Sequence, residues 1–280
     1  MGGIEIPGRL PYFFVVQIQF AKMNGAGNDF VLIDNRASDV VLSAAQVANI
    51  CHRQRGVGAD GVILLKPCAD EQADWAWDFF NSDGSEAEMC GNGARCFARY
   101  LSRVTELNGE ISFLTGSGVI RAQIDGSIVT VNLTDPTDLR LDENVLLSIG
   151  ERQIHSINTG VPHAVVFVDD ADEVMVASLG NEVRHHEHFE PAGTNVNFVQ
   201  LIKPSRIRVR TYERGVGETL ACGTGVAAAA MIAGRLHDFV PPIKVDVFGG
   251  DTLEVSFNED LSNVRLTGPA EFVYEGVIEI

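Results

Sequence analysis

A Cys-Gly-x-Gly tetrad occurs twice in this chain, at 90–93 and at 222–225, and the segments around it repeat as well. NSDGSEAEMCGNG at 81–93 matches ERGVGETLACGTG at 213–225, which pairs Cys90 with Cys222 and Glu86 with Glu218, 132 residues apart. MNGAGNDFVLID at 23–34 matches NTGVPHAVVFVD at 158–169 and pairs Gly25 with Gly160 and Asn28 with His163, 135 residues apart. GADGVILLK at 58–66 matches NVNFVQLIK at 195–203, 137 residues apart. Three matches in one order at nearly constant spacing point to duplication. We therefore expect an α/β fold of the α+β type, two pseudo-symmetric mixed α/β domains, meeting near residues 133–150, where TDPTDLRLDEN has linker character.

Local patterns fill in the halves. Strands are expected at 14–20, 30–34, 62–66, 75–81, 110–114, 118–124 and 127–133, with Gly, Asn or Asp at the turns. A helix is expected over 43–56, with Ser43 as its cap and Gly56 closing it. After the first tetrad, Ala94, Phe97, Ala98 and Leu101 form one apolar stripe of a helix running from Gly91 to Val104. After the second, the Ala-rich run from Gly223 to Leu236 has the highest intrinsic helix propensity in the chain. Residues 1–16 read as an extension or tag ahead of the first strand.

The formal net charge of −17 repels phosphate backbones and anionic lipid, which argues against nucleic acid or a membrane surface as partner and for a small-molecule substrate. The longest run without a charged or strongly polar side chain, residues 225–234, is too short to span a bilayer. Five cysteines without framework spacing suit free thiols in a reducing compartment, by default the cytoplasm. Whether two copies associate as a homodimer is not specified by the sequence.

A cysteine at a helix N-terminus sits where the macrodipole and unpaired N–H groups favour a thiolate, so the thiols of Cys90 and Cys222 are expected to titrate toward neutrality. Gly91, Gly93, Gly223 and Gly225 would let a carboxylate approach those N–H groups closely. Inverting a carbon centre needs a base on one face and an acid on the other, and two matching halves can supply one thiol to each. Cys51, Cys68 and Cys96 read as small buried hydrophobes. GVGADG at 56–61 satisfies G-x-G-x-x-G but follows a helix and precedes a strand, the wrong order for a dinucleotide turn. His185, His186 and His188 lack any accompanying metal motif and read as a solvated face; neither a metal nor a cofactor is expected.

KMNGAGNDFVLID, RGVGADGVILL, FNSDGSEAEMCGNGARCFARY, GVPHAVVF, GTNVNFV and RTYERGVGETLACGTG, in order over residues 19–275, closely resemble the diaminopimelate epimerase family. The resemblance implies cofactor-independent interconversion of LL- and meso-2,6-diaminopimelate in lysine and peptidoglycan precursor synthesis. It implies β-strands around a central helix in each half, with the C-terminal strand returning to the first. The halves are then 17–132 plus 268–280, and 133–267. By the same resemblance Cys90 and Cys222 are the acid/base pair, and Gly91, Asn92, Gly223 and Thr224 hold the proximal carboxylate. Glu213 would hold the proximal ammonium and Arg214 the distal carboxylate, helped by Asn28, Asn81 and Asn195; His163 and Glu213 would tune the thiols. Val161 and Gly61 stand where one common form of the pattern has amide side chains, so distal recognition would lean more on Arg214 or water. Three rivals stay open at this stage: a proline racemase or hydroxyproline epimerase, a non-catalytic amino-acid binding protein, and a redox sensor that closes Cys90 on Cys222.

Overall fold

The computed structural model describes residues 16–69, 72–107 and 109–280. The extension expected over 1–16, and the start of the strand expected at 14, lie outside these residues except for Val16, which pairs with Ile280 through two backbone hydrogen bonds.

The first half runs β1 (Gln17–Gly25), β2 (Asn28–Asp34), α1 (Ala44–Cys51), β3 (Gly61–Pro67), β4 (Trp75–Asn81), α2 (Gly91–Thr105), β5 (Glu110–Thr115), β6 (Gly118–Asp125) and β7 (Ile128–Asn132). Next come β8 (Thr137–Leu147), β9 (Gly150–Asn158), β10 (Pro162–Phe167), α3 (Val176–Arg184), β11 (Asn195–Lys203), β12 (Arg206–Glu213) and the short β13 (Gly217–Thr219). The chain ends with α4 (Gly223–His237), β14 (Ile243–Val247), β15 (Thr252–Ser256), β16 (Arg265–Pro269) and β17 (Glu271–Glu279). The duplication is exact in pairing sense: β1–β2, β3–β4 and β5–β6 are antiparallel, as are β9–β10, β11–β12 and β14–β15. β2–β3 and β4–β5 are parallel, as are β10–β11 and β12–β14.

Alternate side chains of these strands turn inward on one central helix per half. α2 packs on β1, β2, β3, β6 and β7, and α4 on β9, β10, β11, β12, β14 and β15. The Ala227–Ala230 run of α4 is wholly buried, so the helix is packed on all sides and needs small side chains to let the strands close round it. The halves are joined by the antiparallel β7–β16 ladder, in which Thr130 and Thr267 share a hydrogen bond of 2.8 Å.

Two expectations are corrected. Residues 133–150 are not a loose linker, because most of them form β8, which pairs antiparallel with β9 as β17 pairs with β1. Each half thus sends its last strand onto the other. β8 hides in the sequence because it is largely exposed, and Asp138 and Asp142, both at positive φ, sit where its register shifts. The helix expected over 43–56 starts as read, with a Ser43–Gln46 capping box, but ends at Cys51. There the chain folds back, and the N–H groups of Gly58 and Ala59 take the Ile50 and Cys51 carbonyls. A Cβ on Gly56 would stand 1.9 Å from the Asn49 oxygen, so that glycine serves a close approach at the helix end.

Leu266 of β16 lies beneath both helix starts, its Cδ2 3.1 Å from a Cβ built on Gly91 and 3.0 Å from one built on Gly223. It is fully buried, so Leu266→Ala should lower stability by about 3 kcal/mol. Leu139→Ala, on the exposed side of β8, should change it by less than about 0.5 kcal/mol. Urea denaturation of the two variants checks the contrast.

Candidate active site

The N-termini of α2 and α4 face each other. A Cβ built on Gly223 would lie 3.3 Å from the Gly91 Cα and 3.7 Å from the Asn92 nitrogen, so only glycines allow the two first turns to approach this closely. Cys90 is the N-cap of α2 and Cys222 the N-cap of α4, both with extended backbone. Each thiol therefore sits beside the free N–H groups of its helix, at the seam between the halves.

Around Cys90, Sγ accepts from the Gly93 N–H and donates to Asn28 Oδ1, both at 3.5 Å. Asn28 is held by its nitrogen, which donates to Asp60 Oδ2 at 2.6 Å, so its oxygen turns to the sulfur. Asp60 is fixed in turn by Arg53, which also grips Asp29. The rejected GVGADG motif has a use after all, since its Asp60 orients Asn28. Asn92 donates from Nδ2 to the Ala221 carbonyl at 3.1 Å and to Asn28 Oδ1 at 3.4 Å, which links the two halves beside the thiols.

Around Cys222 the polar groups differ. Its Sγ lies 3.4 Å from Thr224 Oγ1, which lies 2.9 Å from His163 Nε2. Behind the ring, Asn197 Nδ2 is 3.1 Å from His163 Nδ1 and donates to the Ala164 carbonyl, while Thr211 donates to Asn197 Oδ1. Both amide hydrogens of Asn197 are thus assigned, Nδ1 of His163 accepts, and the ring proton sits on Nε2. Nε2–H then donates to the Thr224 oxygen, which leaves the Thr224 hydroxyl proton to point at the sulfur. Gly225 makes room for this set, since a Cβ there would stand 2.3 Å from Asn197 Oδ1.

Glu213, at the end of β12, accepts from Thr219 at 2.6 Å; burial raises its carboxyl above the usual range, and the Thr219 hydroxyl and the neighbouring Cys222 thiol hold it back. Asn195 accepts the Arg214 N–H at 2.8 Å and so fixes the backbone that carries the Arg214 side chain. Arg214 itself reaches the Ala192 carbonyl at 3.4 Å. Asn81 stays apart from the thiols in its contacts, its nitrogen donating to Ser85 within its own turn. At Gly61 a Cβ would meet the Phe80 oxygen at 2.6 Å, so this backbone has no room for a longer side chain there.

Neither thiol titrates as expected. Burial pushes both above the ordinary cysteine value and outweighs the N–H donors of Asn92 and Gly93 at Cys90 and of Gly225 at Cys222. The Glu213 carboxylate adds to the upward shift at both thiols. His163, wholly buried, is pushed down to about 3, mainly by desolvation and also by Arg214, and stays neutral at ordinary pH. Cys51 and Cys96 are buried and each is pushed up to about 12, as suits inert thiols. Cys68 departs from expectation in being only partly buried. His185 bonds the Asn181 carbonyl, His186 the Leu146 carbonyl and His188 the Glu143 carboxylate, so the three rings point to different partners. No helix among the described residues is long and apolar enough to cross a membrane.

Asp60, Arg95, Asn197 and Thr219 escaped the sequence reading. Asn197 and Thr219 lie in or beside the matched segments, but their roles depend on which neighbour each faces.

The family model for diaminopimelate epimerase matches residues 20–138 and again 155–273, one match to each half. A diaminopimelate epimerase from Aquifex aeolicus is 45% identical over 273 residues, covering 92% of this chain and 97% of that protein. One from Chlorobaculum tepidum is 40% identical over 263 residues, covering 92% of this chain and all of that protein, 100%. Among solved structures, a PhzF-family phenazine biosynthesis protein from Bacillus anthracis superposes with a TM-score of 0.72 at 14% identity, covering 95% of this chain and 100% of that one. A hydroxyproline epimerase from Agrobacterium vitis does so at 0.70 and 17% identity, covering 94% and 91%. These two share the fold.

Two measurements check the network on Cys222. Thr224→Val removes a hydroxyl that lowers the Cys222 pKa, so iodoacetamide labelling of Cys222 should need higher pH than in the native protein. His163 binds its proton less readily when folded, about 3 against 6.5. Between those values the unfolded chain holds the extra proton, so this contribution is favourable above pH 6.5 and is lost as pH falls toward about 3. His163→Gln should flatten the acid limb of the stability curve, read by urea titration. With both halves of the family pattern matched and its paired cysteines at facing helix starts, this chain belongs to the diaminopimelate epimerase family.

Proposed function

We propose that the protein interconverts LL- and meso-2,6-diaminopimelate by proton transfer between two thiols, without a cofactor. The observation that carries this reading is the meeting of two cysteine-capped helix N-termini at Gly91 and Gly223. One sulfur, as thiolate, takes the α-proton: an S–H bond forms, the C–H bond breaks, and its electron pair moves toward the α-carboxylate. The opposite thiol then delivers its proton to the other face, and the two cysteines have exchanged roles. The N–H groups of Gly91, Asn92, Gly223 and Thr224 are suited to receive the carboxylate as negative charge develops on it.

Glu213 is suited to the proximal ammonium and Arg214 to the distal carboxylate, with Asn28, Asn81 and Asn195 lining or supporting the same region. Asn28 and Asn195 act partly through what they hold: Asn28 the Cys90 sulfur, Asn195 the Arg214 backbone. His163 and Glu213 both bear on Cys222, one through Thr224 and one directly. Arg214 favours a substrate with a second charged end over proline or hydroxyproline. Two thiols that must stay reduced support a reducing compartment, the cytoplasm, as its location. We assign the domains as 17–132 with 268–280, and 133–267, which keeps β17 with its partner β1 and β8 with its partner β9.

Incubation of LL-diaminopimelate with the purified protein in deuterated water should yield meso isomer carrying deuterium at one α-carbon. Cys90→Ala and Cys222→Ala should each reduce turnover by about 1,000-fold or more while leaving the fold intact. Unlabelled, unconverted substrate would refute the epimerase reading, and retained binding without turnover in the native protein would favour a binding protein.

A further inference from the structure

Arg95 heads the largest side chains that are completely buried, at 0% exposure. It sits in the second turn of α2 and reaches from its helix to β16. Its Nε donates to the Pro269 carbonyl at 3.3 Å, Nη1 to the Gly91 carbonyl at 3.3 Å and Nη2 to Asn92 Oδ1 at 3.0 Å. None of these partners is a carboxylate. Guanidinium stays protonated in proteins, so this is a positive charge enclosed among neutral groups, an arrangement costly enough to call for a reason. Gly268 of β16 leaves the space for it, since a Cβ there would lie 3.3 Å from Nε.

The duplication identifies what is special about the position. With Cys90 matched to Cys222, Arg95 falls opposite Ala227 and Asn81 opposite Glu213. The cation is therefore on the Cys90 side and the carboxylate on the Cys222 side. Arg95 also decides the flip of Asn92: its N–H groups require the Asn92 oxygen, which turns Nδ2 toward Ala221 and Asn28, the residue that accepts from the Cys90 thiol. The charged and titratable groups acting on Cys90 are Arg95 and Cys96 from its own helix, Glu213 from β12 and Cys222 across the seam. Asp60 acts through Asn28, and Asp251 acts on Arg95. Arg95 is the cation of this set, and it bonds the Gly91 carbonyl and the Asn92 side chain directly beside the Cys90 cap, where it opposes the Glu213 carboxylate.

We propose that Arg95 is a positioning residue that makes the two thiols inequivalent, its buried charge at the start of α2 causing Cys90 to give up its proton before Cys222. The proposal rests on the two-thiol reading above and assigns the order of ionisation within it. It explains why the guanidinium is placed behind one helix start and absent behind the other, and why it bonds the Gly91 carbonyl and Asn92 directly.

The test is the pH dependence of iodoacetamide alkylation in the full-length protein, followed at each cysteine by peptide mass spectrometry. Cys90 should react at lower pH than Cys222 in the native chain. Arg95→Gln should move the Cys90 midpoint up by about one pH unit, the size expected for loss of a nearby opposite charge. Arg95→Lys, which keeps the charge, should recover most of that shift. A native chain in which Cys222 reacts first overturns the proposal, as does an unmoved Cys90 midpoint in a folded Arg95→Gln. Should Arg95→Gln fail to fold, Arg95→Met supplies the neutral variant, with the same outcomes. Alkylation needs no turnover, so deuterium exchange in the native protein separates failure of this proposal from failure of the epimerase reading.

Discussion

Two helices cannot ordinarily point their N-termini at one another without cost, because each end carries about half a positive charge and a set of unpaired N–H groups. Here α2 and α4 do so, with Gly91 and Gly223 close enough that a Cβ on either would press on Leu266 and on the opposing turn. The rest of the molecule holds that approach in place. The β7–β16 ladder runs behind it, Leu266 fills the floor, and β8 and β17 each tie one half to the other. The natural complement of such a seam is an anion, which relieves the facing dipoles and satisfies the N–H groups together. On the proposed two-thiol reading, a carboxylate bound there would bring its α-carbon toward the two capping cysteines, and specificity and chemistry would share one cause.

The same enclosure governs the thiols. A helix N-terminus contributes up to about 2 kcal/mol to a charge beside it, roughly one and a half pKa units. Desolvation of a fully buried group reaches about 3–5 units in the opposite direction. Burial raises both sulfurs, the buried Cys222 and the half-buried Cys90, and the direct donors moderate it: Gly93 and Asn92 at Cys90, Thr224 and Gly225 at Cys222. The neutral His163 suits this economy of charge. Locked by Asn197 as an Nε2 donor, it directs the Thr224 hydroxyl proton to Cys222 without adding a second ionisable group to the site.

The sequence was most legible where a residue's role follows from its place on a helix. Cys90 and Cys222 could be found from the repeated tetrad, and α2 and α4 from their apolar and Ala-rich runs. Where tertiary pairing decides, local pattern failed. The polar, bulged β8 gives no alternation to read, and α1 stops at Cys51 because Gly58 and Ala59 return to take its last carbonyls. Asp60, Asn197 and Thr219 are ordinary polar residues in the sequence, and only the facing partners, Asn28, His163 and Glu213, give them roles. The near-neutral thiols expected from helix position alone were wrong because position says nothing of how dry the site is.

Duplication supplies a backbone that places two sulfurs equivalently, but a proton can move across a carbon only if one sulfur is charged while the other is not. The halves match where geometry is set and differ where sulfur is touched: Asn28 against His163, Asn81 against Glu213, Asn92 against Thr224, Arg95 against Ala227. Cys90 accordingly has an amide oxygen beside it and a cation behind its helix start, Cys222 a hydroxyl beside it, and the Glu213 carboxylate acts on both. Had these pairs remained identical, the two thiols would compete equally for one proton, and no single starting state would be favoured. On the two-thiol reading, divergence at a few side chains on a duplicated frame would resolve that degeneracy, the symmetry of the scaffold setting the path of the proton and the unlike neighbours its resting place.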